Sequence, residues 1–175
     1  SAVRLYHDNV LAKQAGCGRT PWHFDDHHFP LDTNDVVTAW VPAQPTPLEM
    51  GPLSFAYPLS VHKLVNAVTF EKTGTGYDRG VSDVFSKNNV SVNETPFELG
   101  EVSFHHNLNF HTASCNRTNR SRVALANTYY RDGARVVNSP TMVSGDWQKF
   151  MPNVKPGDVA ASPLNPICWP VKDKS

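Results

Sequence analysis

No run of apolar residues in this chain approaches the roughly 18 that a membrane-spanning helix needs, and its first residues show no secretory leader. Net charge is also missing, because 16 Lys and Arg balance 16 Asp and Glu. A chain without a cationic excess is poorly suited to binding nucleic acid or an anionic membrane. Cysteine is scarce: Cys17, Cys115 and Cys168 are odd in number and far apart. That excludes a disulfide framework and fits free thiols in a reducing compartment, so a cytoplasmic location is expected. Four Asn-x-Ser/Thr triplets, at Asn89, Asn93, Asn116 and Asn119, are read as chance occurrences for the same reason. Repeats and low-complexity tracts are absent as well.

What remains is a globular composition in 175 residues, enough for a sizeable core and one expected domain over residues 1–175. Ser1 begins abruptly, without an initiator Met, as a piece of a longer chain would. Histidine is the unusual count. Of eight, six fall in two short stretches, His23 to His28 and His105 to His111, and such clusters beside carboxylates point to a metal.

Strand-like sequence dominates. Val3 to His7 alternates and Val10 to Ala12 continues it; Asp35 to Val41 is β-branched and aromatic without a breaker; Leu53 to Tyr57 and Arg122 to Tyr130 read the same way. Gly100 to His105 opens a strand that Asn107 to His111 is expected to continue. Pro42 to Pro52 is a loop, and Pro30 to Asn34 a turn. His62 to Phe85 carries weak helical runs broken by Gly74, Gly76 and Gly80, a pattern expected of a lid. The tail from Ser139, rich in Pro and Gly, is expected to hug the surface. Many short strands joined by such turns favour an all-β core with minor helical segments, either sandwich or barrel. A double-sheet jelly roll would let residues from distant strands converge at its mouth.

The candidate chemistry starts at Trp22-His23-Phe24-Asp25. If this stretch is extended, His23 and Asp25 share one face while Trp22 and Phe24 pack into the core. An imidazole and a carboxylate side by side are two ligands of a 2-His-1-carboxylate iron site, and His111 is the candidate third. Alternatives stay open, since His27 shares a face with Asp25, and His105 has the parity of a ligand, a supporting partner or a core histidine. A chelating 2-oxo acid on such an iron needs a cation for its far carboxylate, and Arg122 is the candidate. Trp40 reads first as core, Lys13 as a solvated charge, and Arg122 has a surface ion pair with Asp132 or a nearby Glu as its plainer reading. Phe24, Phe104 and Tyr129 are candidates for the pocket wall, with Phe24 and Phe104 equally suited to the core.

Taken in order, Trp22-His23-Phe24-Asp25, Phe29-Pro30, Asp35 to Trp40, Glu49-Met50-Gly51-Pro52-Leu53, Leu99 to His106, His111, Asn116 and Arg122 resemble the phytanoyl-CoA dioxygenase family over roughly Leu5 to Tyr130. The resemblance implies a double-stranded β-helix (jelly roll, cupin-like), non-haem Fe(II), and 2-oxoglutarate with O2 as co-substrates. By position it implies His23, Asp25 and His111 as iron ligands, Arg122 at the far carboxylate of 2-oxoglutarate, and Trp40 as the aromatic beside it. A carboxylate at Asp25, where related halogenases carry a small residue, implies hydroxylation or another oxidation rather than halogenation, with release of succinate and CO2. The helical N-terminal portion usual in the family is missing from this sequence, and Ser60-Val61-His62-Lys63 departs from the usual strand ending, so the substrate does not follow from the resemblance. The alternative readings are a cupin-like metalloenzyme that uses no 2-oxo acid and a non-catalytic binding module of the same fold.

Overall fold

The computed structural model describes residues 2–69 and 75–170. Two antiparallel sheets form it, and alternation of side chains explains both. The first contains β1 (Val3–Lys13), β3 (Val36–Pro42), β6 (Ser103–His106), β8 (Arg122–Arg131) and β9 (Ile167–Trp169), in the order β6-β3-β8-β1-β9. The second contains β2 (Thr20–His23), β4 (Leu53–Tyr57), β5 (Ser91–Glu94) and β7 (His111–Ala113), in the order β2-β7-β4-β5. Short helices α1 (Val61–Leu64) and α2 (Gly76–Asn88) pack beside the smaller sheet. Among the described residues, no helix is long and apolar enough to cross a membrane.

Register decides what faces inward. Trp40 pairs with Ala126 and Ser103, and Thr38 with Thr128 and His105, so one rung across three strands carries His105, Thr38 and Thr128 on the same face. Beyond β8, His7 joins that rung opposite Thr128, and Lys13 stands opposite Arg122. A bulge between Leu5 and His7 makes this possible, because the extra residue Tyr6 resets the parity of β1. Asn165, fully buried, holds the bulge by donating through its amide nitrogen to the carbonyls of Leu5, Tyr6 and Phe150 at 3.1 to 3.2 Å.

Several expectations need correction. The tail beyond Ser139 builds the core: Trp147, Met151 and Ala160 are buried with Tyr6, Leu31, Val36 and Tyr130, and Ile167–Trp169 adds an edge strand to β1. Scattered apolar residues in a Pro-rich stretch carry no periodicity, which hid this role. Asn107 to Asn109 does not continue β6 but reverses the chain, with the Asn109 amide donating to the His106 carbonyl. The expected lid is partly helix, α2, and Gly74 lies outside the described residues. Phe24 packs with Trp22 against Phe110 as anticipated, whereas Phe104 is 68% exposed and Tyr129, paired with Leu5 and Val37, faces away from the inner rung. Asn116 is buried, with its amide shared among the carbonyls of Lys13, Gln14 and Arg120, so that Asn-x-Thr triplet is a structural knot.

If the tail is core, Met151→Ala should lower unfolding free energy by about 2–5 kcal/mol, the usual range for emptying a filled site, as read by chemical denaturation. A surface-hugging tail would show almost no change.

Candidate metal centre

Pairing of β2 with β7 sets His23 directly opposite His111, with ring centroids 4.2 Å apart. Each imidazole is oriented by its own chain. His23 Nδ1 lies 2.8 Å from the Pro21 carbonyl and His111 Nδ1 2.9 Å from the Asn109 carbonyl. A carbonyl oxygen can only accept, so each Nδ1 donates, and in the neutral imidazole that leaves Nε2 with its lone pair. Both Nε2 atoms face Asp25 Oδ1, at 3.5 and 3.9 Å.

Asp25 arrives there by a route the alternation argument did not foresee. β2 ends at His23, and Asp25 adopts helical angles ahead of a single 3-10 turn, Asp26–His28. Its backbone amide donates to the Asn107 carbonyl at 2.8 Å. Asn107 is held in turn, its amide nitrogen donating to Val36 O and its side chain to Asp26 Oδ1. The reversal at Asn107 to Asn109 therefore positions Asp25 with one hand and His111 with the other.

The candidate ligand atoms of His23, Asp25 and His111 lie within 4.8 Å of one another. Donors about 2.1 Å from one ion and at right angles stand about 3 Å apart, so a small inward shift closes the set. His105, 5% exposed, brings Nε2 to 3.7 Å from Asp25 Oδ2, while its Nδ1 lies 3.3 Å from Ser103 Oγ. It therefore supports the carboxylate's second oxygen, one of the roles left open for it. His27 and His28 are exposed on the 3-10 turn, with the His27 ring against Phe24, and His106 Nδ1 accepts the Leu108 amide.

Electrostatics prepare these groups to donate to a cation. Burial alone would raise the Asp25 pKa, but the contact with His105 and the imidazoles of His111 and His23 outweigh it and hold the carboxyl below the usual range. Burial, then the neighbouring His23, pushes His111 down to about 3. An ionised carboxylate and a neutral imidazole are the ligating forms, so neither loses a proton on binding at neutral pH.

A cavity of about 700 Å³ opens on this cluster. At one end Arg122, 5% exposed, stacks its guanidinium 5.3 Å from the centroid of the Trp40 ring and donates to the Gly51 carbonyl. Arg122 Nε and Trp40 Nε1 are buried without a hydrogen-bond partner among the described residues. Gly51 is itself constrained, because its φ is +72° and a Cβ there would collide with the Ser114 carbonyl. Arg122 does not pair with Asp132, which binds Arg4 instead.

Lys13 is the residue that sequence reasoning misjudged. It is 6% exposed, not solvated, and its Nζ donates to Gly18 O at 2.7 Å. Its parity with His7 on one face of β1 carried the signal, but only once the bulge is known. Burial and the charge of Arg122 both lower its pKa. No carboxylate pairs with Lys13 or Arg122 among the described residues. Two buried cations side by side are the counterpart of an anionic ligand.

A family model described as phytanoyl-CoA dioxygenase matches residues 1–124. Among solved structures, the chain is 24% identical to the non-heme alpha ketoglutarate dependent carbocyclase SnoK from nogalamycin biosynthesis, with a TM-score of 0.73 over 95% of this chain and 62% of that one. It is 22% identical to the epimerase SnoN in complex with Fe3+, alpha ketoglutarate and nogalamycin RO, with a TM-score of 0.69 over 95% and 65%. At such identities the likeness is one of fold, and it establishes a jelly-roll architecture. The chain spans less than two thirds of the length of either protein. No curated protein matches it.

The depressed His111 pKa carries a sign. The folded protein resists protonation that the unfolded chain accepts near 6.5, so stability is complete above that value and falls as pH drops from about 6.5 toward 3. Asp25 adds a loss below its own unfolded value, 3.8. In chelator-treated protein, denaturation at pH 7 and pH 4.5 should show this drop, and His111→Gln should flatten it between those points. An equal drop in the variant would assign it elsewhere.

Proposed function

Because the chain belongs to the phytanoyl-CoA dioxygenase family, we propose that it is an Fe(II)- and 2-oxoglutarate-dependent oxygenase that hydroxylates an unactivated C–H bond of a small organic molecule. His23, Asp25 and His111 would hold the iron, a 2-His-1-carboxylate set that leaves room for further ligands. Bound there, iron with 2-oxoglutarate and O2 supplies the oxidising power, and the co-substrate leaves as succinate and CO2.

The single observation that carries this reading is the alignment of three features along one cavity: a 2-His-1-carboxylate cluster, then Trp40, then the unpaired cations Arg122 and Lys13. A cupin-like enzyme without a 2-oxo acid has no use for the last two. Arg122 grips the far carboxylate of 2-oxoglutarate, its Nε being a buried donor that lacks a partner among the described residues. Lys13 shares that charge from the neighbouring strand. Trp40 shields the contact from water, which strengthens it. Pro21, Asn109 and Asn107 keep the ligand tautomers and the carboxylate in place. The solved SnoN complex, with iron and alpha ketoglutarate on the same fold, supports the assignment. Residues 1–175 act as one catalytic unit in this reading, and three free cysteines accord with the cytoplasm.

Anaerobic addition of Fe(II) and 2-oxoglutarate should produce a weak visible charge-transfer band, and Asp25→Ala or His111→Ala should abolish it. A folded wild-type protein that shows no band refutes the proposal. With redox-silent Mn(II), 2-oxoglutarate should raise the melting temperature. Arg122→Met and Lys13→Met should each weaken its binding by about tenfold or more, the scale of one charge-assisted hydrogen bond. Unchanged affinity in both variants would remove the two cations from the site.

A further inference from the structure

The cavity has a second end with a different chemistry. From the Lys13–Arg122 pair to the His7–Thr128 pair the two strands run six residues in register, about 20 Å at strand rise. Around His7 the walls are Tyr6, Phe29 and Phe150, with the imidazole of His28 and, from the tail, Val143 and Ser144. The His7 ring lies 4.7 Å from Phe150 and 4.9 Å from Tyr6, and Tyr6 lies 5.0 Å from Phe29. The cationic side chains of Lys13 and Arg122 belong to the opposite end. Burial lowers the pKa of His7 and so favours its neutral imidazole, and its Nδ1 is buried without a hydrogen-bond partner among the described residues.

We propose that Tyr6, His7, Phe29 and Phe150 form the substrate subsite, and that it takes an uncharged, flat, ring-containing molecule whose hydroxyl or carbonyl group hydrogen-bonds the His7 imidazole. The inference rests on the oxygenase reading for its chemistry but not for its binding. An anionic substrate such as an acyl-CoA or a phosphonate would be desolvated against three aromatic rings, away from Lys13 and Arg122, which is costly. Rings, by contrast, stack edge-on or offset against these walls. The neutral imidazole offers both a donor and an acceptor, so it serves a hydroxyl or a carbonyl equally. His7 is a positioning residue here, fixing which carbon is presented to the cluster at His23, Asp25 and His111.

The test uses protein loaded with Mn(II) and 2-oxoglutarate, with 2-naphthol and naphthalene as probes in equilibrium dialysis. Wild type should bind 2-naphthol about fivefold more tightly than naphthalene, the effect of one neutral hydrogen bond. His7→Phe, which keeps the ring and removes the nitrogens, should erase that preference while still binding naphthalene. Phe150→Ala should weaken both probes. Decanoyl-CoA should not displace 2-naphthol. A preference that survives in His7→Phe, or displacement by decanoyl-CoA, overturns the proposal. Binding of 2-oxoglutarate is measured on the same samples. Intact co-substrate binding without a naphthol preference overturns this inference alone, and loss of co-substrate binding in wild type overturns the oxygenase reading alone, since the probe preference can be read without it.

Discussion

The cross-strand pairing of His23 with His111 is the contact from which the rest of the site follows. Two residues 88 apart in the chain are brought side by side by four- and three-residue strands, and short strands alone are weak. What makes the pairing firm is the apolar layer behind it. Trp22 stacks on Phe110 at 5.4 Å, and Phe85 stands edge-on to Trp22 at 5.1 Å. Alternation thus divides the labour within a few residues: Trp22 and Phe110 anchor the strands, while His23 and His111 face the cavity. The cluster is polar and desolvated, so its stability is drawn from that aromatic layer and not from the ligands themselves.

Strand length then separates the functions. On β8 the inward positions run from Arg122, through small residues at Ala124 and Ala126, to Thr128, with Lys13, Leu11, Asn9 and His7 opposite them on β1. Small side chains in the middle leave room for a ligand, and the buried hydroxyls of Thr38 and Thr128 bond each other at 3.0 Å without projecting charge. A charged co-substrate and an uncharged substrate can therefore lie end to end without competing for one subsite. In the proposed reading, the cluster of His23, Asp25 and His111 would be where they meet.

Strands with strong local character were legible in the sequence. Asp35 to Val41 and Leu53 to Tyr57 were recognisable because β-branched and aromatic residues alternate without breakers, and both are strands within a residue or so. His23, Asp25 and His111 could be nominated by residue type. Three things were not legible, and each fails for a physical reason. Asp25 faces the histidines because of a hydrogen bond to Asn107, a contact that no local periodicity encodes. Lys13 reads as a surface charge because its burial depends on a parity shift at Tyr6. The tail reads as loose because Trp147, Met151 and Ala160 are core residues spaced without any regular period.

The bulge and the tail are one device. Without the extra residue at Tyr6, every inward position on β1 beyond it would turn outward, taking His7 and Lys13 from opposite ends of the cavity at once. Asn165 is what stabilises that bulge, since it satisfies two carbonyls, of Leu5 and Tyr6, where the ladder is disrupted, and ties them to Phe150. The same tail supplies Phe150, Val143 and Ser144 to the aromatic end. A segment of irregular structure thereby sets the register of the first strand and shapes the wall facing the substrate. The tail also touches the turn next to Asp25, with His28 Nδ1 3.3 Å from the Val143 carbonyl. Variation in it would alter the aromatic end of the cavity while leaving the His23–His111 pairing, made in the other sheet, in place.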